Sequence, residues 1–401
     1  MTFEDDLKRK LQGINKVLDQ HSNDCEGIGL YTGLSGLILF KFYYARLMND
    51  ETYAQEGFEM IQRCIEKVQN DKQVIFSYCD GFSGLGWVLD HLEMEDFLET
   101  NNDLMFSQLD PFLHERMLLS LENGKFDFLH GAMGVAFYFL GRYKNTKKED
   151  LKNRYKGYLL DFIRLLKETS EESEGAYKWQ SILNYKIQNK GYDTGLAHGA
   201  ASILAFLMRL YYYKDFREKC EPIMKGIINY LLALQNENHQ YQFPSSVSLN
   251  GEKNLHGRLA WCYGDLGIGL QLLKSSRLLK NKNLEQKAIS ILEATTKYKD
   301  VKETLVVDAS MCHGSFGVAQ LYRQIFKETN KNIFKEATNY WMQDGLKKAI
   351  HSDGFAGYKQ KHGDVWENEI SLLEGISGIG LVIIDHLSKE SNRWDESFMI
   401  S

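Results

Sequence analysis

Gly33-Leu34-Ser35-Gly36, Gly81-Phe82-Ser83-Gly84, Gly131-Ala132-Met133-Gly134, Gly199-Ala200-Ala201-Ser202, Gly264-Asp265-Leu266-Gly267, Gly314-Ser315-Phe316-Gly317 and Gly375-Ile376-Ser377-Gly378 are seven copies of one turn. Successive copies lie 48, 50, 68, 65, 50 and 61 residues apart, the length of two helices with their connections. Each turn opens a mostly apolar run, such as Leu37 to Tyr44, Val135 to Leu140, Ile203 to Leu210 or Ile379 to Ile384. A helix that is apolar nearly all round is a buried one. Between the turns lie amphipathic stretches, Tyr53 to Val68, Lys148 to Lys167, Phe216 to Leu234, Leu284 to Tyr298 and Ile333 to Ala349, whose apolar residues recur at helical spacing. Those helices face water on one side.

Buried and half-buried helices in sevenfold alternation predict an all-α fold, an α/α toroid of seven inner and seven outer helices. The first and last repeats close the ring, and residues 1–401 form a single domain. The inner helices of such a ring run parallel, so the glycine turns gather at one end. Most GxxG copies are then explained by close helix packing, and no GK[ST] or preceding strand marks a phosphate cradle. Asp110-Pro111 reads as an N-cap followed by the first helical position. No strand-rich region stands out, although Tyr241 to Ser248 fits an irregular excursion or a small β hairpin.

A net charge of -6 and a pI near 6.0 argue against a nucleic-acid-binding face. Met1 to Gln20 is charged throughout and lacks the apolar stretch of a signal peptide, which points to a cytoplasmic protein. No apolar run approaches the roughly 18 residues of a membrane span. The six cysteines are scattered, which speaks for free thiols rather than a disulfide framework.

The residues just before each first glycine are Thr32, Asp80, His130, His198, Tyr263, His313 and Glu374; one place earlier stand Tyr31, Cys79, Leu129, Ala197, Cys262, Cys312 and Leu373. Packing alone does not call for so many metal-binding types in one register. Cys25, Cys64 and Cys220 read as small buried hydrophobes. Cys262, Cys312 and His313, an adjacent Cys-His pair with a second Cys in the same register of the preceding repeat, suit a single zinc ion with a fourth position open. Cys79 and His130 occupy equivalent places and remain rival ligands on this reasoning.

Trp261-Cys262-Tyr263-Gly264, Cys312-His313-Gly314 and Gly195-Leu196-Ala197-His198-Gly199 together resemble the signature of the lanthionine synthetase C-like family, whose stand-alone members are lanthipeptide cyclases. The resemblance implies one Zn²⁺ per chain, held by Cys262, Cys312 and His313. It implies an active-site histidine at His198, an active-site aspartate at Asp127, and Arg258 and Tyr263 lining the site. The implied reaction adds a peptide cysteine thiolate to dehydroalanine or dehydrobutyrine in the same dehydrated precursor peptide, forming (methyl)lanthionine. His198 is then the general acid, with Asp127 holding or relaying its proton and Arg258 stabilising developing negative charge. The chain departs from the family pattern at Ser202, which replaces a glycine, and at His130, where a smaller or acidic residue is more usual.

A toroid that uses all 401 residues leaves no room for a dehydratase domain, so a partner dehydratase is implied, and with it a complex that can associate with a membrane. Two other readings compete: a zinc-thiolate enzyme adding glutathione or another thiol, and a non-catalytic peptide-binding toroid.

Overall fold

Each glycine turn starts a helix. Gly33, Gly81, Gly131, Gly199, Gly264, Gly314 and Gly375 are the N-caps of Leu34–Met48, Phe82–Met94, Ala132–Asn145, Ala200–Tyr211, Asp265–Leu278, Ser315–Thr329 and Ile376–Leu387. None of these glycines can offer a capping side chain, so the backbone caps itself. In six of the turns the glycine N–H donates to the carbonyl four residues back, as in Gly33 to Gly29, Gly199 to Gly195 and Gly314 to Ser310, all at 3.1 Å. Gly264 differs: its φ of 99° lies in the left-handed region, and a Cβ there would stand 2.2 Å from the Arg258 carbonyl oxygen.

In the computed structural model, residues 2–70, 75–184, 187–390 and 392–401 are described. Among them seven further helices alternate with the glycine-led ones: Phe3–His21, Thr52–Asn70, Asp110–Glu122, Glu149–Glu168, Lys214–Leu234, Lys282–Thr295 and Asn332–Lys347. Each amphipathic stretch expected from the sequence falls on one of these helices, with Leu284 to Tyr298 and Ile333 to Ala349 running two or three residues past the helix end. Two compact units result, one of residues 1–102, 306–397 and 401, the other of residues 103–305 and 398–400.

In the first unit the glycine-led helices pack in the order Ser315–Thr329, Ile376–Leu387, Leu34–Met48, Phe82–Met94, so the last repeat lies against the first. Their turns are joined by a row of backbone hydrogen bonds at one register position, two residues before the first glycine. Cys312 N donates to Leu373 O at 2.9 Å, Leu373 N to Tyr31 O at 3.1 Å, and Tyr31 N to Cys79 O at 3.0 Å. The second glycine of each turn makes the close approach possible. A Cβ on Gly84 would meet Tyr78 O at 2.2 Å and the Leu30 Cβ at 2.8 Å, and one on Gly36 would meet the Leu372 Cβ at 2.6 Å.

The second unit packs Ala132–Asn145, Ala200–Tyr211 and Asp265–Leu278 side by side, each backed by its following amphipathic helix. A bond of the same kind occurs within this unit, with Ala197 N and Leu196 N both donating to Cys262 O, at 3.3 and 3.0 Å. At Ser202, where the second glycine is missing, the hydroxyl turns inward and donates to Gly199 O at 2.7 Å.

The strand content exceeds the sequence expectation. A four-stranded antiparallel sheet runs in the order Ser181–Asn184, Asn189–Asp193, Ser246–Ser248, Lys253–Asn254, and two-stranded hairpins form at Glu171–Ser173 with Ala176–Lys178 and at Gln360–His362 with Val365–Glu367. The excursion at Tyr241 to Ser248 contributes only the third strand of the sheet, and its polar, weakly alternating partners gave little periodic signal. A second correction concerns Asp110. It does not cap its helix, whose N-cap is Leu109; the buried carboxylate instead accepts from the hydroxyls of Tyr138 at 2.7 Å and Tyr155 at 2.6 Å. Burial raises its pKa.

The two kinds of glycine respond oppositely to a methyl group. Gly84→Ala should lower stability by about 1 to 3 kcal/mol through overpacking. Gly157→Ala, in the middle of Glu149–Glu168 with nothing within 4 Å of the added carbon, should raise it by about 0.5 to 1 kcal/mol. Urea unfolding midpoints of the two variants check both signs.

Candidate active site

The strand Asn189–Asp193 runs straight into the fourth glycine turn and so delivers Asp193 and His198 to one place. There, wholly within the second unit, a cleft of about 680 Å³ is lined by Asp127, His130, Asp193, His198 and Tyr263, together with Lys125 and Lys190. The expected pair is formed: His198 Nδ1 is hydrogen-bonded to Asp127 Oδ2. The other oxygen of Asp127 accepts from His130 N at 2.6 Å. Asp127 therefore closes its own turn and holds the histidine of the next one at the same time.

The rings of His130 and Tyr263 flank His198, with centroids 6.4 and 6.2 Å away. His130 lies nearly parallel to it, at 15°. Burial alone would push the His198 pKa down, but the Asp127 carboxylate overrides it, with Asp193 and Cys262 adding to the pull, and the pKa is raised to about 9. At neutral pH the imidazole is protonated. Asp127 is shifted the other way: burial works against its charge, and His198 more than compensates, leaving its pKa lowered.

Asp193 went unnoticed in the sequence. It is buried, its Oδ1 accepts from Gly195 N at 2.8 Å, and its carboxylate also receives the Tyr263 hydroxyl. Burial raises its pKa to about 6. Arg258 is held elsewhere, its Nη2 donating to Leu305 O at 3.1 Å, and it is not among the described residues that line the cleft.

Cys262 lies in the same unit, buried beneath the turn whose backbone it anchors. The preceding Trp261 is buried, its Nε1 donating to Phe398 O at 2.9 Å. That anchor fixes the start of the Cys262 turn.

The first unit holds the other two expected zinc ligands, Cys312 and His313, side by side ahead of Ser315–Thr329. His313 Nε2 lies 3.3 Å from Asp308 Oδ2, and Asp308 also accepts from Ser310 N at 3.0 Å and Ser310 Oγ at 2.9 Å. Burial opposes the charge on Asp308, yet His313 and Ser310 hold its pKa at about 2. A carboxylate behind one ring nitrogen orients a histidine for metal binding through the other. Two thiols, one imidazole and such an orienting carboxylate fit zinc by donor chemistry.

Asp308 was also missed, although a signal was present. Asp193-Thr194-Gly195-Leu196-Ala197-His198-Gly199 and Asp308-Ala309-Ser310-Met311-Cys312-His313-Gly314 share one spacing of aspartate, histidine and glycine.

The chain matches the family described as lanthionine synthetase C-like protein over residues 24–399. A curated relative, nisin biosynthesis protein NisC of Lactococcus lactis subsp. lactis, is 24% identical over 409 residues, covering 94% of this chain and 91% of that protein. The structure of nisin cyclase aligns with a TM-score of 0.74 at 18% identity, covering 98% of this chain and 97% of that one. The fold is accordingly all-α, of the α/α-toroid class. Among the described residues no helix is long and apolar enough to cross a membrane.

Because His198 has its folded pKa raised, the stability it lends is fully present below the unfolded imidazole value of about 6.5 and is lost as pH rises through about 9. NMR titration should place the His198 midpoint near 9 in the wild type. In Asp127→Asn the midpoint should fall by more than about one unit, and the thermal midpoint should become less sensitive to pH between neutrality and 9.

Proposed function

The chain belongs to the lanthionine synthetase C-like family, and we propose from this that it is a zinc-dependent lanthipeptide cyclase, one catalytic domain closing (methyl)lanthionine rings in a dehydrated precursor peptide. The observation that carries the reading is the His198 imidazole hydrogen-bonded to Asp127, which raises its pKa to about 9, in a cleft shared with Tyr263, the residue next to Cys262. A cleft that holds a proton donor beside a thiol-bearing turn suits thiol addition to an activated alkene.

Cys262, Cys312 and His313 are the proposed zinc ligands. Their support comes from register. In four pairs of consecutive turns within a unit the residues two places before the first glycine are hydrogen-bonded neighbours, Cys312 to Leu373, Leu373 to Tyr31, Tyr31 to Cys79 and Ala197 to Cys262. Cys262 and Cys312 hold that position in the fifth and sixth turns. Bound to such a set, zinc would lower the pKa of an incoming peptide thiol and keep it a thiolate near neutrality.

The peptide thiolate adds to the β-carbon of the dehydro residue, and the electron pair of the double bond passes to the carbonyl as an enolate. His198 then gives its proton to the α-carbon, and Asp127 holds the neutral imidazole in place for reprotonation. Tyr263 faces the reacting groups from the cleft wall. Arg258 is proposed to favour the enolate charge with the guanidinium N–H groups that its bond to Leu305 does not use.

The substrate must arrive already dehydrated, so a dehydratase is the proposed partner, and no role for nucleic acid is proposed. A cytoplasmic site of action agrees with six cysteines that are all free thiols.

Metal analysis of the purified chain should give about one zinc per molecule. Cys312→Ala should lose the metal while keeping its helical circular dichroism. His198→Ala should keep the metal and lower cyclisation of a dehydrated peptide by about 100-fold or more. A zinc-free folded wild type would favour the peptide-binding reading, and equal consumption of glutathione by the same alkene would favour the broader thiol-adding one.

A further inference from the structure

Asp193 has no part in the mechanism given above, yet the turn is built around it. Its side chain is buried and its Oδ1 accepts from Gly195 N at 2.8 Å. A Cβ on Gly199 would stand 2.5 Å from that same oxygen, so the turn bearing His198 closes directly onto the carboxylate. The Tyr263 hydroxyl donates to the carboxylate from the neighbouring turn, and a Cβ on Gly195 would meet the Tyr263 ring at 2.9 Å. Asp193 thus touches two of the three turns that supply the cleft with polar groups. It lines the cleft beside Asp127, His198 and Tyr263.

A second observation comes from the sixth turn. Asp308 occupies the same register as Asp193, and there the aspartate stands behind the histidine five residues later, with Asp308 Oδ2 at 3.3 Å from His313 Nε2. The fourth and sixth turns therefore present the same aspartate and histidine pair in two settings.

We propose that Asp193 is a positioning residue of this site, holding Tyr263 and the His198 turn in the arrangement from which both side chains face the cleft. It acts through these two residues and does not itself touch substrate. The charges that bear on His198 are Asp127, Asp193 and Cys262, and His130 stacks on its ring. Removing the Asp193 charge changes that surrounding while Asp127 remains. The proposal rests on the cyclase reading for its kinetic consequence but not for its structural one.

The test compares wild type, Asp193→Asn, Tyr263→Phe and the double variant, each as the full chain with its zinc. Asparagine keeps an acceptor for Gly195 N–H and loses the charge. Cyclisation of a dehydrated, cysteine-containing peptide is followed as loss of alkylatable thiol by mass spectrometry. Each single variant should lower kcat about tenfold with KM nearly unchanged, and the double variant should be no worse than the worse single one, because the two groups act as a unit. Losses that multiply, or an Asp193→Asn variant with full kcat, would overturn the proposal.

The ring ¹⁵N signals of His198 give a readout free of activity. They should move in Asp193→Asn at constant melting temperature, and signals that stay in place would equally overturn the proposal. Should Asp193→Asn fail to fold, Tyr263→Phe takes its place, with displaced His198 signals supporting the coupling and unmoved ones refuting it. If the wild type does not cyclise the peptide at all, the ring signals alone decide the role of Asp193. The failure then falls on the cyclase reading.

Discussion

The structure depends on one repeated backbone hydrogen bond, from the N–H two residues before a turn's first glycine to the equivalent carbonyl of the next turn. Buried N–H and C=O groups left unpaired cost about 1 to 3 kcal/mol each, so turns packed this closely need lateral partners. The bond supplies them, and the second glycine of the motif lets the neighbouring backbone come near enough to form it. Once the row exists, the residues beside it have no freedom of register. Whatever side chain occupies the last two places before the glycine is carried to the turn end of its helix, and chemistry can vary there without disturbing the scaffold. Tyr31, Leu373 and Ala197 fill such places with apolar groups, and Cys262 and Cys312 fill them with thiols.

On that scaffold the electrostatics of His198 follow from what is buried beside it. An isolated imidazole in such a place would lose its proton, since burial disfavours the charged form. Asp127 reverses the outcome because its own turn geometry leaves one oxygen free of backbone duty: Oδ1 is occupied by His130 N, and Oδ2 faces the histidine. The same division of labour recurs at Asp308, where one oxygen serves Ser310 and the other serves His313. A carboxylate in these turns is thus a cap first and an electrostatic partner second, and neither role has to be given up for the other.

Much of this was legible in the sequence because it is periodic. Seven glycine pairs, the apolar runs behind them and the amphipathic stripes between them specify helices by spacing alone, and the observed helices start at the glycines. The pairing of His198 with Asp127 was also anticipated, through the family resemblance. What escaped was aperiodic. The four-stranded sheet is made of two to five residues per strand, too short for alternation to rise above the surrounding loop composition. Asp110 looked like a cap because proline follows it, but two tyrosines on other helices claim its carboxylate. Asp193 and Asp308 were overlooked because attention to the residues next to the glycine stops short of a carboxylate six places back. Arg258 owes its place to the family resemblance alone: its Nη2 donates to Leu305 O, and it is not among the described residues that line the cleft.

The fourth and sixth turns show how one local design can be given two tasks. Both place an aspartate five residues ahead of a histidine and close the turn with its carboxylate. In the sixth turn that carboxylate is the histidine's partner, and His313 and Ser310 together lower the Asp308 pKa to about 2. In the fourth, Asp127 from the preceding turn has taken the imidazole, and Asp193, relieved of that duty, takes the Tyr263 hydroxyl and keeps a pKa of about 6. One histidine is thereby oriented by its own turn, as its proposed role as a metal ligand requires, and the other is gripped across two turns by a charge that raises its pKa. The difference lies in where the second carboxylate comes from, not in the turn itself.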